Sequence, residues 1–206
     1  ERFIQGVEYL DVNTGKLVFL KRQDCSFAYR DSIFKGELLN KAVITQVTFC
    51  LPKEWQSVTH YGELKTLVDP SPRAIFDKVI EVRRSKLPDP NQLGNAGSFF
   101  KNPVINQTLF AKLQAQWPDM PSYAIDSSKV KIPAAWLIDT LGFKGRQVGG
   151  IGCHQTQPLV LTNVGNGTGQ DLLTLARTIK HKVQEVFSIK LEHEVRLMGQ
   201  QGLISL

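Results

Sequence analysis

Cysteine and histidine are scarce in this chain, which argues against two common ways of stabilising a fold. Cys25, Cys50 and Cys153 are the only cysteines. They are odd in number, far apart and without a C-x-x-C pair, which favours reduced thiols in a cytosolic setting over a disulfide framework. The histidines are His60, His154, His181 and His193. None joins a cysteine at a spacing typical of zinc ligands, so we predict no structural metal.

The chain also lacks long apolar runs. No run approaches the ~20 residues that a membrane-spanning helix needs. No charged segment followed by an apolar one has the form of a secretory leader. We therefore expect a soluble, cytoplasmic protein with no membrane partner.

Basic residues exceed acidic ones, but they are spread along the chain. The formal net charge is +6 and the sequence pI is about 9.3. A basic tract of the kind that follows a phosphate backbone is absent, so we predict no nucleic-acid partner. A diffuse positive field would steer small anions such as nucleotide diphosphates and carboxylates inward. The positive net charge is explained equally well if its only effect is to keep the protein soluble.

Hydrophobic residues make up 42% of the 206 residues, enough for one large domain or two small ones. The first fifty residues alternate like strands. We predict a hairpin with strands at 3–10 and 17–20, followed by a third strand at 43–49 that is rich in β-branched residues. Ser71 and Pro72 then begin a helix. The segment 87–90, Leu-Pro-Asp-Pro, is the clearest boundary in the sequence.

The second half mixes helices with strands, which makes the expected fold class α+β. The predicted elements are a helix capped by Asn106, a short helix at 134–141 closed by Gly142, a strand at 159–161 and a long amphipathic helix at 171–187.

The segment 189–198 alternates strictly between apolar and polar residues. This pattern predicts a last strand with Glu192, Glu194 and Arg196 on its polar face. Such a face is usually solvated, and it matters for function only if it lines a cleft.

The decamer 94–103, Gly-Asn-Ala-Gly-Ser-Phe-Phe-Lys-Asn-Pro, is the most informative stretch. Gly94 and Gly97 permit positive φ and a close approach of the backbone to a ligand. The loop can therefore present the hydroxyl of Ser98 to a bound molecule, with the amide of Asn102 nearby. Taken alone, the decamer also fits a tight turn with a capping serine and two core phenylalanines.

The decamer resembles the catalytic loop of the UDP-N-acetylenolpyruvoylglucosamine reductases (MurB), a family of flavoenzymes. Three further stretches are similar to the same family: 27–35 (Phe-Ala-Tyr-Arg-Asp-Ser-Ile-Phe-Lys), 134–139 (Ala-Ala-Trp-Leu-Ile-Asp) followed by Lys144-Gly145, and 191–196 (Leu-Glu-His-Glu-Val-Arg). The family more often has proline where His193 stands. The resemblance extends almost from end to end.

The resemblance implies an α+β fold that contains part of a flavin-binding α+β domain of the PCMH/VAO-like type and a smaller α+β substrate-binding domain. Residues 1–86, with 188–206 returning, would form the C-terminal half of the FAD-binding domain. Residues 87–187 would form the substrate-binding domain.

The resemblance also implies a function. The expected enzyme is an FAD-dependent oxidoreductase that uses NADPH to reduce UDP-N-acetylglucosamine enolpyruvate to UDP-N-acetylmuramate, and we expect it to be a monomer. This step belongs to peptidoglycan precursor synthesis, and thereby to cell-wall biogenesis, cell shape and cell division.

Three residues match the catalytic positions of the family. The family transfers a hydride from reduced flavin N5 to the terminal carbon of an enolpyruvyl ether, so that negative charge develops on the adjacent carbon and its carboxylate. By the resemblance, Arg30, near the flavin, would stabilise this enolate, and Ser98 would donate the proton that quenches it. Glu194 would make a second polar contact. The Glu194 carboxyl would favour formation of the enolate if the carboxyl is protonated or if the Arg30 guanidinium lies close by, and both options stay open.

Five further residues match positions that contact the UDP-sugar in the family: Tyr61, Lys86, Asn102, Tyr123 and Gln157. Tyr61, in Thr-His-Tyr-Gly, matches the tyrosine that closes over the nucleotide diphosphate in type I members, whereas type II members lack that loop. Lys86 and Tyr123 equally fit a solvated helix end and a surface aromatic.

The glycine-rich segments that hold the flavin diphosphate in full-length family members do not occur in this sequence, which begins at Glu1 without Met. No G-x-G-x-x-G or P-loop motif replaces them, and the glycines of 149–152 form a lone turn. We therefore expect a fragment lacking the N-terminal part, in which the remaining cofactor-binding residues would lie. Such a fragment would hold FAD weakly or not at all.

Two alternatives come from other classes of protein. A non-catalytic nucleotide-sugar binding module would bind the UDP-sugar without turnover, even with the N-terminal segment restored. A small nucleic-acid binding domain rests on the pI alone, and would require steep salt dependence of oligonucleotide binding.

Overall fold

The computed structural model describes residues 1–206 and combines helices with strands, which confirms the predicted α+β class. The chain divides into two compact units, Glu1–Val58 and Thr59–Leu206. The assignment of 1–86 with 188–206, and of 87–187, to the two domains of the family stays a prediction.

The first unit is a three-stranded antiparallel sheet in the order β2-β1-β3. Its strands are β1 (Ile4–Asp11), β2 (Leu17–Lys21) and β3 (Ala42–Phe49). The predicted hairpin is confirmed, since Asp11 Oδ1 accepts hydrogen bonds from the backbone N–H groups of Asn13 and Thr14 in the turn between β1 and β2. The third strand is also confirmed, and it pairs with the other edge of β1.

Few apolar side chains of the first unit are buried. Val7, Tyr9 and Cys25 form its buried part. On β3, Val43 is 54% exposed and Ile44 is 49% exposed. Because neighbouring residues of a strand point to opposite faces, β3 has exposed apolar side chains on both faces of the sheet.

The second unit contains all four α-helices and the remaining nine strands. The helices are α1 (Pro72–Lys86), α2 (Gln107–Gln116), α3 (Ala134–Thr140) and α4 (Gly169–Phe187). The strands are β4 (Gly94–Ser98), β5 (Val104–Asn106), β6 (Tyr123–Ala124), β7 (Lys129–Lys131), β8 (Gln147–Val148), β9 (Ile151–Cys153), β10 (Val160–Asn163), β11 (Leu197–Gly199) and β12 (Gly202–Ile204). They form the sheets β4-β10-β9-β8 and β5-β7-β6 and the hairpin β11-β12. None of the four helices is long and apolar enough to cross a membrane.

Side-chain caps begin α1 and α2 as the sequence predicts. Ser71 Oγ accepts from the N–H of Ala74 at the start of α1, and Asn106 Oδ1 accepts from the N–H of Leu109 at the start of α2. Helix α4 begins two residues earlier than predicted. Thr168 and Asp171 form a capping box, in which each side chain accepts from the backbone N–H of the other.

The core of the second unit lies against α4. The buried side chains of α4 are Leu175, Ala176, Ile179, Val183 and Phe187. The ring of Phe187 packs 5.4 Å from Trp117 and 5.9 Å from Trp136, measured between centroids. Val186, which the helical pattern also places on this stripe, is 38% exposed.

The predicted last strand is wrong in extent. A regular strand occupies only Leu197–Gly199, and the strand pairing of 189–196 is limited to one isolated bridge, between His193 and Phe100. The partner segment of this pairing is short because Pro103, which has no N–H, soon follows it.

Gly150 lies against backbone and leaves no room for a side chain. A Cβ there would overlap Gly167 N and lie 2.6 Å from the carbonyl carbon of Asn166. We expect Gly150→Ala to lower the free energy of unfolding of the second unit by at least the ~1–3 kcal/mol of ordinary overpacking, because backbone cannot move aside as a side-chain tip can. Urea unfolding monitored by tryptophan fluorescence measures this.

Gly169→Ala is the matched control for this substitution. Gly169 is the first residue of α4, and nothing lies within 4 Å of the Cβ that alanine would add. Alanine should therefore stabilise the unit by up to ~1 kcal/mol, by restricting the unfolded chain. Equal stability of the two variants would contradict the close approach of Gly150 to the backbone of 166–167.

Candidate active site

Ser98 lies at the end of a strand, although the sequence predicts a loop around it. Residues 94–98 form β4, which pairs antiparallel with β10. Val160 lies opposite Ser98 and Thr162 lies opposite Asn95, so β4 carries one residue more than β10 between these pairs. The extra residue makes a β-bulge.

The turn-forming residues of the decamer build this bulge. Gly97 has φ +73°, in the left-handed region that favours glycine. The Asn95 side chain closes the bulge, since its Oδ1 accepts from the N–H of Gly97 at 3.0 Å. A bulge changes the direction of the side chain that follows it, and Ser98 is the residue that follows.

Two buried aromatic residues anchor the backbone after Ser98. Phe99 and Phe100 are almost completely buried, and their rings meet edge to face at 5.0 Å between centroids. Ser98 itself is exposed. The hydroxyl is therefore attached to a segment that the hydrophobic core holds in place.

The fold brings Glu194 next to this segment. The N–H of Glu194 donates to the carbonyl oxygen of Phe99 at 2.8 Å, and His193 bridges to Phe100. Glu194 is half-buried. Two of the three predicted catalytic residues, Ser98 and Glu194, thus lie on neighbouring strands of backbone in the second unit.

Lys101 and Glu192 lock the same pairing from its other end. The N–H of Lys101 donates to the Glu192 carbonyl oxygen at 2.9 Å, and Lys101 Nζ lies 2.9 Å from Glu192 Oε2. The hydrogen bond from Lys101, and then its charge, lower the pKa of the Glu192 carboxyl.

Asn102 holds the start of α3 with one end of its amide. Its Oδ1 accepts from the N–H of Ala134 at 2.9 Å, which supplies the cap that Pro133 at the N-cap position does not make. Because a backbone N–H can only donate, the amide orientation is set, and its NH₂ group remains as a donor for an acceptor on a ligand.

Gln157 lies in the loop between β9 and β10, next to the Ser98 segment. The residues that end this loop pair with the decamer: the N–H of Phe99 donates to the Leu159 carbonyl oxygen at 2.7 Å, and Val160 is opposite Ser98. Gln157 is half-buried. Ser98, Asn102, Gln157 and Glu194 are therefore all attached to one segment, 98–102, or to its direct backbone partners.

Tyr61 and Lys86 line one cavity of about 200 Å³, together with Glu63 and Arg83. Lys86 Nζ pairs with Glu63 Oε1 at 2.7 Å, and Tyr61 is 75% exposed. Arg83 is absent from the site residues predicted from the sequence. Its position one turn before Lys86 on α1 is the signal that puts both cations on the same face.

Tyr123 lies on β6, in the other sheet of the unit, and is exposed. Its ring centroid is 5.8 Å from Lys131 Nζ. Its predicted contact with a UDP-sugar stays a prediction.

Arg30 belongs to the first unit, where it occupies a tight turn closed by the bridge between Ala28 and Asp31. Its φ of 56° is in the left-handed region, which costs a residue with a side chain about 1–3 kcal/mol. Lys35 Nζ donates to the Arg30 carbonyl oxygen at 2.9 Å. The convergence of its guanidinium with Ser98 and Glu194 stays a prediction.

No group of three or more His, Cys, Asp or Glu side chains that could hold a metal ion occurs in the chain. The three cysteines are unpaired, with Cys25 and Cys153 buried and Cys50 exposed.

Substitutions of Asn102 separate its two roles. Asn102→Asp keeps an oxygen for the N–H of Ala134, whereas Asn102→Ala removes it. We expect Asn102→Ala to lower the free energy of unfolding by ~0.5–2 kcal/mol, as loss of a helix cap does, and Asn102→Asp to leave it nearly unchanged. On the prediction that Asn102 contacts the UDP-sugar, both variants should bind it more weakly, because both lose the NH₂ donor. Urea titration and calorimetry measure the two effects, and equal destabilisation by both variants would contradict the capping role.

The Glu192 carboxyl should titrate below its ordinary pKa of ~4.3. The pair with Lys101 then contributes stability above that ordinary value, and this contribution is lost as the pH falls through the lower pKa of the folded state. Side-chain NMR titration measures the shift. Lys101→Met should return the pKa of Glu192 toward its ordinary value, while Lys144→Met, which breaks the separate pair with Asp139, should leave it unchanged.

Comparison with known proteins connects this geometry to a family. Residues 89–198, which include Ser98, Asn102, Gln157 and Glu194, match the family model described as UDP-N-acetylenolpyruvoylglucosamine reductase, C-terminal domain. A protein named UDP-N-acetylenolpyruvoylglucosamine reductase from Pseudoalteromonas atlantica is 59% identical over 206 residues, which are 100% of this chain and 60% of that protein. One of the same name from Shewanella sp. (strain ANA-3) is 50% identical over 202 residues, which are 97% of this chain and 59% of that protein.

A solved structure agrees at the level of the fold. The crystal structure of UDP-N-acetylenolpyruvylglucosamine reductase (MurB) from Thermus caldophilus superposes with a TM-score of 0.56 and 23% identity, covering 94% of this chain and 53% of that chain. The chain spans about 60% of the length of the curated relatives it matches. From the match over 89–198 and the close relatives, the chain belongs to the UDP-N-acetylenolpyruvoylglucosamine reductase family.

Proposed function

We propose that the protein containing this chain is an FAD-dependent, NADPH-using reductase. It converts UDP-N-acetylglucosamine enolpyruvate to UDP-N-acetylmuramate during peptidoglycan precursor synthesis in the cytoplasm. The observation that carries the proposal is the 2.8 Å hydrogen bond from the N–H of Glu194 to the carbonyl oxygen of Phe99. It brings the backbone of Glu194 next to Phe99, the residue that follows Ser98, although nearly half the chain separates Glu194 and Ser98 in sequence.

FAD, when bound, would supply the hydride. Of the residues of this chain, only Arg30 is assigned near the flavin. The first unit offers no glycine-rich backbone to hold a diphosphate, and its β3 is exposed on both faces. The activity is therefore proposed for the full-length protein, in which this chain's own side chains act on the substrate.

Ser98 donates the proton that completes the reduction. Its hydroxyl is exposed at the end of a bulged strand whose next two residues are fixed in the core. An alcohol is a weak acid in water, but the enolate carbon is a strong base, so an oriented hydroxyl suffices. A positioned donor of this kind typically contributes ~10²–10⁴-fold to the rate.

Arg30 and Glu194 act on the charge that develops during the reaction. A guanidinium keeps its charge and offers fixed, planar donors, which suits a carboxylate that gains enolate character. The half-buried Glu194 carboxyl contributes to the same site either by sharing a proton with the substrate carboxyl or by lying close to Arg30.

The remaining residues bind the UDP-sugar. The cavity of Tyr61, Arg83 and Lys86 offers two cations and an aromatic ring to the diphosphate. Lys86 pairs with Glu63, so substrate phosphate would have to replace that carboxylate. Asn102 offers its NH₂ group to the UDP-sugar. Gln157 and Tyr123 are the other residues proposed to contact it.

Replacement of Ser98 in the full-length protein is the sharpest test. In Ser98→Ala, NADPH should bleach the flavin at nearly the parental rate, because hydride transfer to FAD needs no proton from Ser98. Reoxidation by the enolpyruvyl substrate should slow by ~10²–10⁴-fold. Stopped-flow absorbance of the flavin measures each half-reaction separately.

Ser127→Ala is the matched control, since it removes a hydroxyl from an exposed bend; both half-reactions should keep the parental rate. Equal slowing of both half-reactions in Ser98→Ala would remove Ser98 from the role of proton donor. Binding of the UDP-sugar without any turnover by the parent protein would favour a non-catalytic binding module instead.

A further inference from the structure

The ring of His154 is hydrogen-bonded inside its own loop. Its Nδ1 accepts from the backbone N–H of Gln157 at 3.2 Å and faces the backbone N–H of Thr156 at 3.4 Å. Both backbone groups can only donate, so Nδ1 must be an unprotonated acceptor and the neutral ring carries its hydrogen on Nε2. Thr156 Oγ1 lies 3.3 Å from the same nitrogen and can donate to it as well.

Other bonds close the two ends of this loop. The N–H of His154 donates to the Val160 carbonyl oxygen at 2.9 Å, and the N–H of Val160 donates to the Gln157 carbonyl oxygen at 2.8 Å. Cys153 Sγ donates to the Pro158 carbonyl oxygen at 3.0 Å, and burial raises the pKa of this thiol to about 11, so it keeps its hydrogen. These bonds join the ends of the loop and hold the carbonyl oxygen of Gln157, whereas His154 Nδ1 is the acceptor for the N–H groups of Thr156 and Gln157.

The loop matters because it contains Gln157 and ends at Leu159, whose carbonyl oxygen accepts from the N–H of Phe99 in the Ser98 segment. Both backbone polar groups of Gln157 are used within the loop, the N–H on His154 and the carbonyl oxygen on Val160. The side-chain amide is then the polar group with which Gln157 can meet a ligand. Its direction depends on the backbone at 156–157, which the His154 ring fixes.

We propose that His154 is a positioning residue for substrate binding: through Nδ1 it holds the loop 154–159 in the conformation that directs the Gln157 amide to the UDP-sugar. The proposal rests on the proposed function, in which Gln157 contacts that substrate. The interaction follows the logic of Asx turns, in which a short side chain accepts from backbone N–H groups two and three residues further on.

The geometry distinguishes between two amide replacements. Asn carries Oδ1 at the same number of bonds from Cα as Nδ1 of histidine, so His154→Asn retains the acceptor. Gln places its oxygen at the position of Nε2, one bond too far, and alanine has no acceptor. A bulky or polar side chain at position 154 is therefore not enough to hold the loop. Only a side chain with an acceptor at the δ position should restore the conformation of 154–159.

The test uses the full-length protein with UDP-N-acetylglucosamine enolpyruvate as the varied substrate. His154→Ala and His154→Gln should raise KM, or the Kd measured by calorimetry, by ~5–10-fold, the effect of one net hydrogen bond. His154→Asn should stay within about twofold of the parent, and reduction of the flavin by NADPH should be the same in all four proteins. A Gln variant as good as the Asn variant would overturn the proposal.

A double variant shows whether His154 acts through Gln157. On a Gln157→Ala background, His154→Ala should cause almost no further rise in KM or Kd, since the amide it directs is gone. An equal rise on both backgrounds would assign His154 a merely structural role and leave the proposed reductase function untouched. If the parent binds the UDP-sugar but does not turn it over, the reductase proposal fails, and the same variants read by Kd still decide the role of His154.

The ring tautomer gives a readout that does not depend on activity. ¹⁵N NMR of the imidazole should show a protonated Nε2 and a bare Nδ1 at neutral pH. Hydrogen exchange at the N–H of Gln157 should become faster in His154→Ala and His154→Gln but not in His154→Asn. A protonated Nδ1 in the parent protein would overturn the proposal whatever the kinetics show.

Discussion

The pairing of 99–101 with 192–194 is the interaction on which the candidate site of the second unit depends. Two backbone hydrogen bonds and one ion pair, between Lys101 and Glu192, join these distant parts of the chain. The buried rings of Phe99 and Phe100 fix one partner in the core. Ser98 precedes this pairing and Glu194 ends it, so the pairing sets how far apart the backbones of these two residues lie.

Several site residues also support the fold. Asn102 caps α3 with its side-chain oxygen, and its NH₂ group takes no part in that cap. Gln157 closes a loop with its backbone, and its side-chain amide takes no part in that closure. Sites built on rigid elements bind with less loss of conformational freedom. The first unit contrasts with this arrangement, because a three-stranded sheet with an apolar strand exposed on both faces has little core of its own.

Local signals predicted local structure well. The hairpin at Asp11, the caps Ser71 and Asn106, and the long helix ending at Phe187 all depend on neighbours in sequence. Features set by distant partners were missed: β4 is a strand because β10 pairs with it, and 189–196 is not a regular strand because its partner is short. The motifs identified the candidate site residues, but no pattern in the sequence indicates that the N–H of Ala134 donates to the side-chain oxygen of Asn102.

The bulge before Ser98 has a consequence for how this position can vary among related proteins. Nothing lies within 4 Å of the Cβ that a substitution at Gly97 would add, so volume does not exclude a side chain there. The left-handed φ of Gly97 alone disfavours a side chain at this position. Asparagine and aspartate tolerate that torsion best among the residues with side chains. Substitution at Gly97 is therefore limited by the handedness of the amino acid and not by crowding, which leaves a narrow set of polar replacements next to Ser98.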